Sequence, residues 1–387
     1  MASGKGQQQA PAGPWAWENS RAKRNGKRPL GTVEIGCYTD LPELWKQEPV
    51  RTSVCTFLTP LSLRRPLDLP EGPRLGVVLR VDQYLDSDGY VDRTWEQLDP
   101  RNYHGATAAE ELAALVSLAL GMRLRAGGII RVFGPESSEA GDPHEMDPPP
   151  YLPRPARYGS MLPEISGLGR PVDYSRLDLL NAYAGLSAGQ ARALVRSARS
   201  YQEAVWVADS DPRQAWLRLV TAVEAVADLQ PKLGSAEKLR LVYPEMVEQI
   251  LACGNPGLVD WFTAKIANRE GATAKFLAFL TEFGPPRPRR RPRNPADKQD
   301  WSTLDYQLRS IYRARSDDLH NGSPIPRSMC EVPVTLGSIA PEVTDAAPGE
   351  QPRLRLHVFE YIVRNAVLSW WRSVSANALE ISPDASS

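Results

Sequence analysis

Arg315 and His320 stand five residues apart in the run Tyr312-Arg313-Ala314-Arg315-Ser316-Asp317-Asp318-Leu319-His320-Asn321-Gly322, in a chain with only four histidines. A guanidinium is always charged and matches the geometry of a phosphate. Histidine is the side chain whose ordinary titration lies near neutrality, so it can accept and return a proton at cellular pH. Together these are the groups needed to cleave an RNA phosphodiester without a metal. Asp317, Tyr312 and Asn321 are the nearest supporting polar groups.

The segment needs a scaffold. Leu304, Leu308, Ile311 and Arg315 recur at helical spacing, so Arg315 extends the inward stripe of a helix opened by Ser302-Thr303-Leu304-Asp305. Arg309 and Arg313 fall on other faces and read as solvated charges. An inward guanidinium needs an anion. The candidates are Glu224, an aspartate of the same segment, or a bound phosphate. His320 would diverge from Arg315 by roughly 140° on an unbroken helix. Their convergence requires the helix to end between them, or a second subunit. Asn321-Gly322 is a turn signal consistent with such an end. The plainer readings are a histidine at a helix C-terminus, where a cation is favoured, and an arginine in a bundle salt bridge.

The elements around this segment are helical. Ser187-Ala188-Gly189-Gln190 has the pattern of a capping box. Ala191, Leu194, Val195, Ala198, Tyr201 and Val205 follow it on one face. Asp211-Pro212 predicts a second start, with proline at the first helical position. That helix carries Trp216, Leu219, Val220, Val223, Val226 and Ala227, with Glu224 beside the stripe. Further helices are expected over 245–253, 257–268, 273–283 and 354–374.

This C-terminal half resembles the HEPN superfamily, and in particular its Apea-like group. The run from Tyr312 to Gly322 looks like that group's Tyr-x-x-Arg-Ser-x-x-x-His-x-Gly segment. Ala215-Trp216-Leu217-Arg218-Leu219-Val220-Thr221-Ala222-Val223-Glu224-Ala225 is similar to its earlier helix with an embedded glutamate. The resemblance covers about residues 187–374. It implies a helical bundle that forms a homodimer, with two Arg–His pairs facing each other. It also implies a metal-independent endoribonuclease of toxin, phage-defence or RNA-processing type. On that reading His320 is the general acid/base and Arg315 binds the scissile phosphate. Ser316 assists, and Glu224 holds Arg315 in place. The products are a 2′,3′-cyclic phosphate and a 5′-hydroxyl. Some members of the superfamily are instead non-catalytic dimerisation, nucleotide-binding or RNA-binding modules, which is the alternative here.

The N-terminal half differs in character. Residues 32–38, 52–58, 75–84 and 129–133 are rich in β-branched and aromatic residues and predict strands. Ala108–Met122 predicts a helix ending near Gly127-Gly128. The expected architecture is α+β: a mixed strand and helix domain over 31–173, then an all-α HEPN-like bundle over 174–380. Residues 134–171, dense in proline, glycine and acids, read as a linker within the first domain. Residues 1–30 read as a disordered basic tail. The N-terminal domain is expected to sense a trigger or bind a partner.

Composition narrows the partners. The formal net charge is zero over 387 residues, so any RNA contact must be a local patch. Arg287, Arg289, Arg290, Arg291 and Arg293, interleaved with prolines, could track an RNA backbone or form a solvated loop. Cys37, Cys55, Cys253 and Cys330 match no zinc or thioredoxin spacing. His104, His144 and His357 have no metal-ligand spacing, and no cofactor or metal is expected. Gly159-Ser160 lacks the paired carboxylates of a nucleotidyltransferase, since Ser175 stands where the second acid would follow Asp173. No phosphate-loop or nucleophile-elbow pattern is present. No run approaches the roughly 18 continuous apolar residues of a membrane span, and no apolar signal segment is seen at the start. A cytoplasmic protein is therefore expected.

Overall fold

Alternation of apolar residues builds the first half. In β1 (Gly31–Thr39), Val33, Ile35 and Cys37 point to one face of the sheet and are buried. The computed structural model describes residues 13–39, 48–62, 75–85, 107–135, 172–208, 210–252, 257–258, 261, 265, 271–287, 301–326, 329–330 and 354–380. Among these, β1 is joined by β2 (Val50–Arg51), β3 (Thr56–Ser62), β4 (Leu75–Gln83) and β5 (Leu124–Phe133). The sheet runs β2-β3-β4-β1-β5 and every pairing is antiparallel. Phe57, Val77, Leu79 and Val81 share the buried face with β1. The strand expected over 52–58 is interrupted. Both the amide and the hydroxyl of Thr52 donate to the Cys55 carbonyl, closing a turn between β2 and β3.

The first helix corrects an expectation. Residues 15–24 do not belong to a disordered tail: they form α1 (Trp15–Arg24). Trp15, Ala16 and Trp17 are buried. The Glu111 carboxylate accepts the N–H groups of Trp15 (3.2 Å) and Ala16 (2.8 Å), orphan donors of a helix N-terminus. The Trp17 indole donates to the Leu186 carbonyl at 2.9 Å. Asn19 donates to the Asp82 carbonyl and accepts from the Tyr84 amide. The polar average of this stretch hides two tryptophans. Their anchors lie more than 60 residues away in sequence.

A capping box between Thr107 and Glu110 starts α2 (Ala108–Leu120). It ends earlier than expected, at Gly121, whose φ of 69° suits glycine and disfavours any residue with a Cβ. Gly127-Gly128 is instead part of β5, where the register with β1 slips beside Gly36.

Every described element after residue 172 is helical. A 3-10 helix (Tyr174–Gly185) leads into α3 (Ala188–Val207) and α4 (Pro212–Ala227). Ser187 and Gln190 form the expected capping box, and Asp211 caps α4 through the Gln214 amide with Pro212 next. Then follow α5 (Ser235–Val242), α6 (Pro244–Ala252), α7 (Gly271–Phe283), a short 3-10 turn (Trp301–Thr303), α8 (Leu304–Asn321) and α9 (Leu356–Glu380). Among the residues expected helical over 257–268, positions 257, 258, 261 and 265 are described and are helical.

The N-terminal and C-terminal regions share one core. Buried residues of α1, the sheet and α2 are continuous with those of α3, α4, α7, α8 and α9. Polar ties cross the same boundary. Arg364 of α9 donates to the carbonyls of Leu118 (2.9 Å) and Ala119 (2.6 Å), which lack partners at the end of α2. Gln202 of α3 donates to the Leu124 carbonyl at 2.6 Å, and Arg123 donates to that of Val205. The expected linker lies, from residue 136 to 171, outside the described residues. No helix among them is long and apolar enough to cross a membrane.

Candidate functional site

The inward stripe of α8 seats the candidate residues. Leu308, Ile311 and Tyr312 are buried, and the Tyr312 ring lies 5.1 Å from that of Phe276 in α7. The Tyr312 hydroxyl donates to Glu224 Oε1 at 2.7 Å, and Arg315 donates to Glu224 Oε2 at 2.9 Å. One carboxylate of α4 therefore holds two residues of α8. The Arg315 guanidinium also lies 5.6 Å from the centre of the Tyr312 ring. Of the anions that could have met Arg315, Glu224 is the one that does.

A second pair grips the same two helices. Asp318, only 4% exposed, accepts two hydrogen bonds from Arg213, at 2.7 and 2.9 Å. This fork matches guanidinium to carboxylate in one plane. The Asp318 carboxylate holds the Arg213 guanidinium above its usual range. Sequence reasoning passed over this pair. The signal was present: residue 318 lies three beyond Arg315, so it continues the inward stripe. Arg213 sits in the first turn of α4, and nothing local in the sequence points it toward α8.

The end of α8 places the histidine. The helix does not end between Arg315 and His320; it continues through Asn321 and stops at Gly322, whose φ is 67°. The amides of Gly322 and Ser323 both donate to the Asp317 carbonyl. The turn signal therefore acts one step after the histidine. Within one chain, Arg315 and His320 diverge by roughly 140° around the axis. His320 is exposed, Ser316 and Asp317 are half-buried, and Asn321 is exposed. Asn321 donates to Asp317 Oδ1 at 3.2 Å. Among the described residues His320 has no hydrogen-bond or ion-pair partner, and neither does Arg313, which is also exposed.

The chain just beyond α8 is pinned from behind. The Trp216 indole of α4 donates to the Met329 carbonyl at 3.0 Å, and its ring stacks on Phe359 of α9 with centroids 4.8 Å apart. Of the basic run, Arg287 is described and exposed, whereas Arg289, Arg290, Arg291 and Arg293 lie outside the described residues. Among the described residues no group of three or more His, Cys, Asp and Glu side chains is gathered for a metal ion.

The protein-family models, the curated proteins and the solved structures compared with this chain yield no match.

Proposed function

We propose that this protein is an endoribonuclease of HEPN type, acting as a homodimer in a toxin or phage-defence setting. The observation that carries the reading is the position of His320. It stands exposed on the last turn of a helix that two carboxylate–guanidinium pairs fix to α4. A proton-transfer group must be reachable and carried on a rigid element, and this one is exposed on a helix held in place by those pairs. In the proposed step the ribose 2′-hydroxyl gives its proton to one imidazole and attacks the adjacent phosphorus. The bond to the 5′ oxygen breaks, and that oxygen takes a proton from an acid. The products are a 2′,3′-cyclic phosphate and a 5′-hydroxyl. Because Arg315 and His320 diverge within one chain, their joint action on one phosphate requires the partner protomer. Metal independence rests on the sequence resemblance alone.

A second reading has its own support. Arg315 is already paired with Glu224, and the helix between Arg315 and His320 is unbroken. Those facts suit a non-catalytic module that dimerises or binds a nucleotide or RNA. The two readings separate in one assay. The full chain is incubated with single-stranded RNA in EDTA, and fragments are scored for 2′,3′-cyclic phosphate ends. The nuclease reading expects cleavage by the parent and a loss of at least about 100-fold in His320→Ala, the usual scale of general acid–base catalysis. An inactive parent favours the binding module. Undiminished cleavage by His320→Ala removes this residue from the chemistry.

A further inference from the structure

The exposed side of α8 carries a second cation that the Arg315–His320 spacing passes over. Residues seven apart on a helix return to nearly the same face, about 20° short of two full turns. Tyr306, Arg313 and His320 are spaced in this way, and all three are exposed. Tyr306 is 51% exposed although it is a large aromatic. The three form one stripe along α8, with about 10.5 Å of rise between neighbours and about 21 Å end to end. The neighbouring Arg309 is not available in the same way, because it pairs with Glu245 of α6 at 3.2 Å. Arg315 is held on the opposite side by Glu224. Asp317 flanks the histidine end of the stripe and is engaged by Asn321.

From this placement we infer that a single strand of RNA lies along the outer stripe of α8, with Tyr306 stacking on a base, Arg313 binding a phosphate and His320 at the reactive end. The inference rests on the nuclease reading above and adds to it a substrate path and a guanidinium from the same protomer. Each group suits its part. An aromatic ring stacks on any base, which makes the contact tolerant of sequence. An unpaired exposed guanidinium keeps all five donors for phosphate oxygens. A duplex has its bases already stacked and offers none to Tyr306, so the stripe favours single strands.

The test uses the full chain carrying His320→Ala, so that a fluorescein-labelled single-stranded RNA stays intact during binding. Anisotropy titrations compare this parent with versions that also carry Tyr306→Ala, Arg313→Ala or, as a control on an exposed arginine elsewhere, Arg240→Ala. The expected result is weaker binding by about 5- to 50-fold for Tyr306→Ala, on the scale of one lost stacking contact. Arg313→Ala weakens binding similarly and lowers the salt slope by about one phosphate contact. Arg240→Ala stays within about twofold. Binding unchanged by the first two variants, or no RNA binding at all, overturns the inference. A drop in dimer mass by sedimentation, with RNA affinity unchanged, overturns it in favour of a second copy of the chain on this stripe. Wild-type cleavage is measured alongside: cleavage with an Arg313-independent affinity sinks the path and spares the nuclease reading, whereas an inactive wild type sinks that reading.

Discussion

Two ionic networks, one in the sheet and one between α4 and α8, use the same chemical parts to different ends. In the sheet, Glu34 of β1 is fully buried between Arg80 of β4 and Arg131 of β5, its register partners on either side. Arg80 donates twice to one carboxylate oxygen, at 2.8 and 2.7 Å, and Arg131 donates to the other at 2.6 Å. Both guanidinia turn inward to one charge. Between α4 and α8 the charge is divided over two separate pairs: Glu224 is itself 24% exposed beside Arg315, and the Arg213 side chain that meets Asp318 is 51% exposed. Charged residues thus mark neither stability nor function by their presence. Full burial of the single carboxylate that two guanidinia share makes the first a structural lock. Two separate pairs tie α8 to α4 beside the exposed Arg313 and His320, which makes the second a brace for that surface.

The contrast predicts unequal costs. Glu34→Ala leaves two guanidinia facing each other across three strands with their shared anion gone. It should destabilise the fold by about 3 kcal/mol in urea unfolding, at the low end for a broken buried pair because Arg80 reaches solvent. Asp318→Ala should cost clearly less, since Arg213 can turn out to water. If the two variants shift the urea midpoint equally, the division into lock and brace is wrong.

Glu224→Gln sharpens the same division. The amide keeps an acceptor for Tyr312 and loses the charge that holds Arg315. The side chains of Arg315 and Glu224 are 22% and 24% exposed, so Arg315 without its anion keeps a path to water and the cost to stability is modest. On the nuclease reading RNA cleavage should fall by about tenfold or more through misplacement of Arg315, while the unfolding midpoint shifts only modestly. Parallel losses of both would make Glu224 purely structural.

The smallest effect concerns the thiols of the two regions. Burial pushes the Cys37 thiol far up, with Cys55 adding to it, and pushes Cys55 up to about 12. Both should resist iodoacetamide at pH 8 in the folded chain, whereas half-buried Cys330 should label before either of them by peptide mapping. A raised folded pKa favours the protonated thiol in the native state. The stability this contributes is present below the unfolded value near 9 and is lost as pH rises from there toward about 12. An unfolding midpoint that falls less steeply from pH 8 to 10.5 in a Cys37→Ala/Cys55→Ala pair than in the parent would confirm the source, the remaining slope coming from the buried hydroxyls of Tyr183 and Tyr201, which burial also pushes up.

Much of the scaffold was readable because its signals are local. The Ser187–Gln190 box, the Asp211-Pro212 start and the stripe through Leu308 and Ile311 involve residues within a turn or two of one another. Local rules misled where distant groups intervened. Residues 15–24 looked like a polar tail because Glu111 and Leu186, which secure their backbone and indole, are remote in sequence. Asn321-Gly322 was rightly a stop, yet the sequence left open whether the helix would break before His320. Continuous hydrogen bonding through Asn321 moved the stop past it.

By itself the chain determined that Arg315 faces inward and needs an anion, because helical periodicity and the cost of an unpaired buried charge require no knowledge of the fold. It also named Glu224 among the possible anions. Which acid meets which guanidinium was decided only by packing. Glu224 and Arg315 are 91 residues apart, Arg213 and Asp318 are 105 apart, and Glu34 and Arg131 are 97 apart. Over such separations the choice depends on which helix faces and strands come into register, and that is a property of the assembled core rather than of any segment within it.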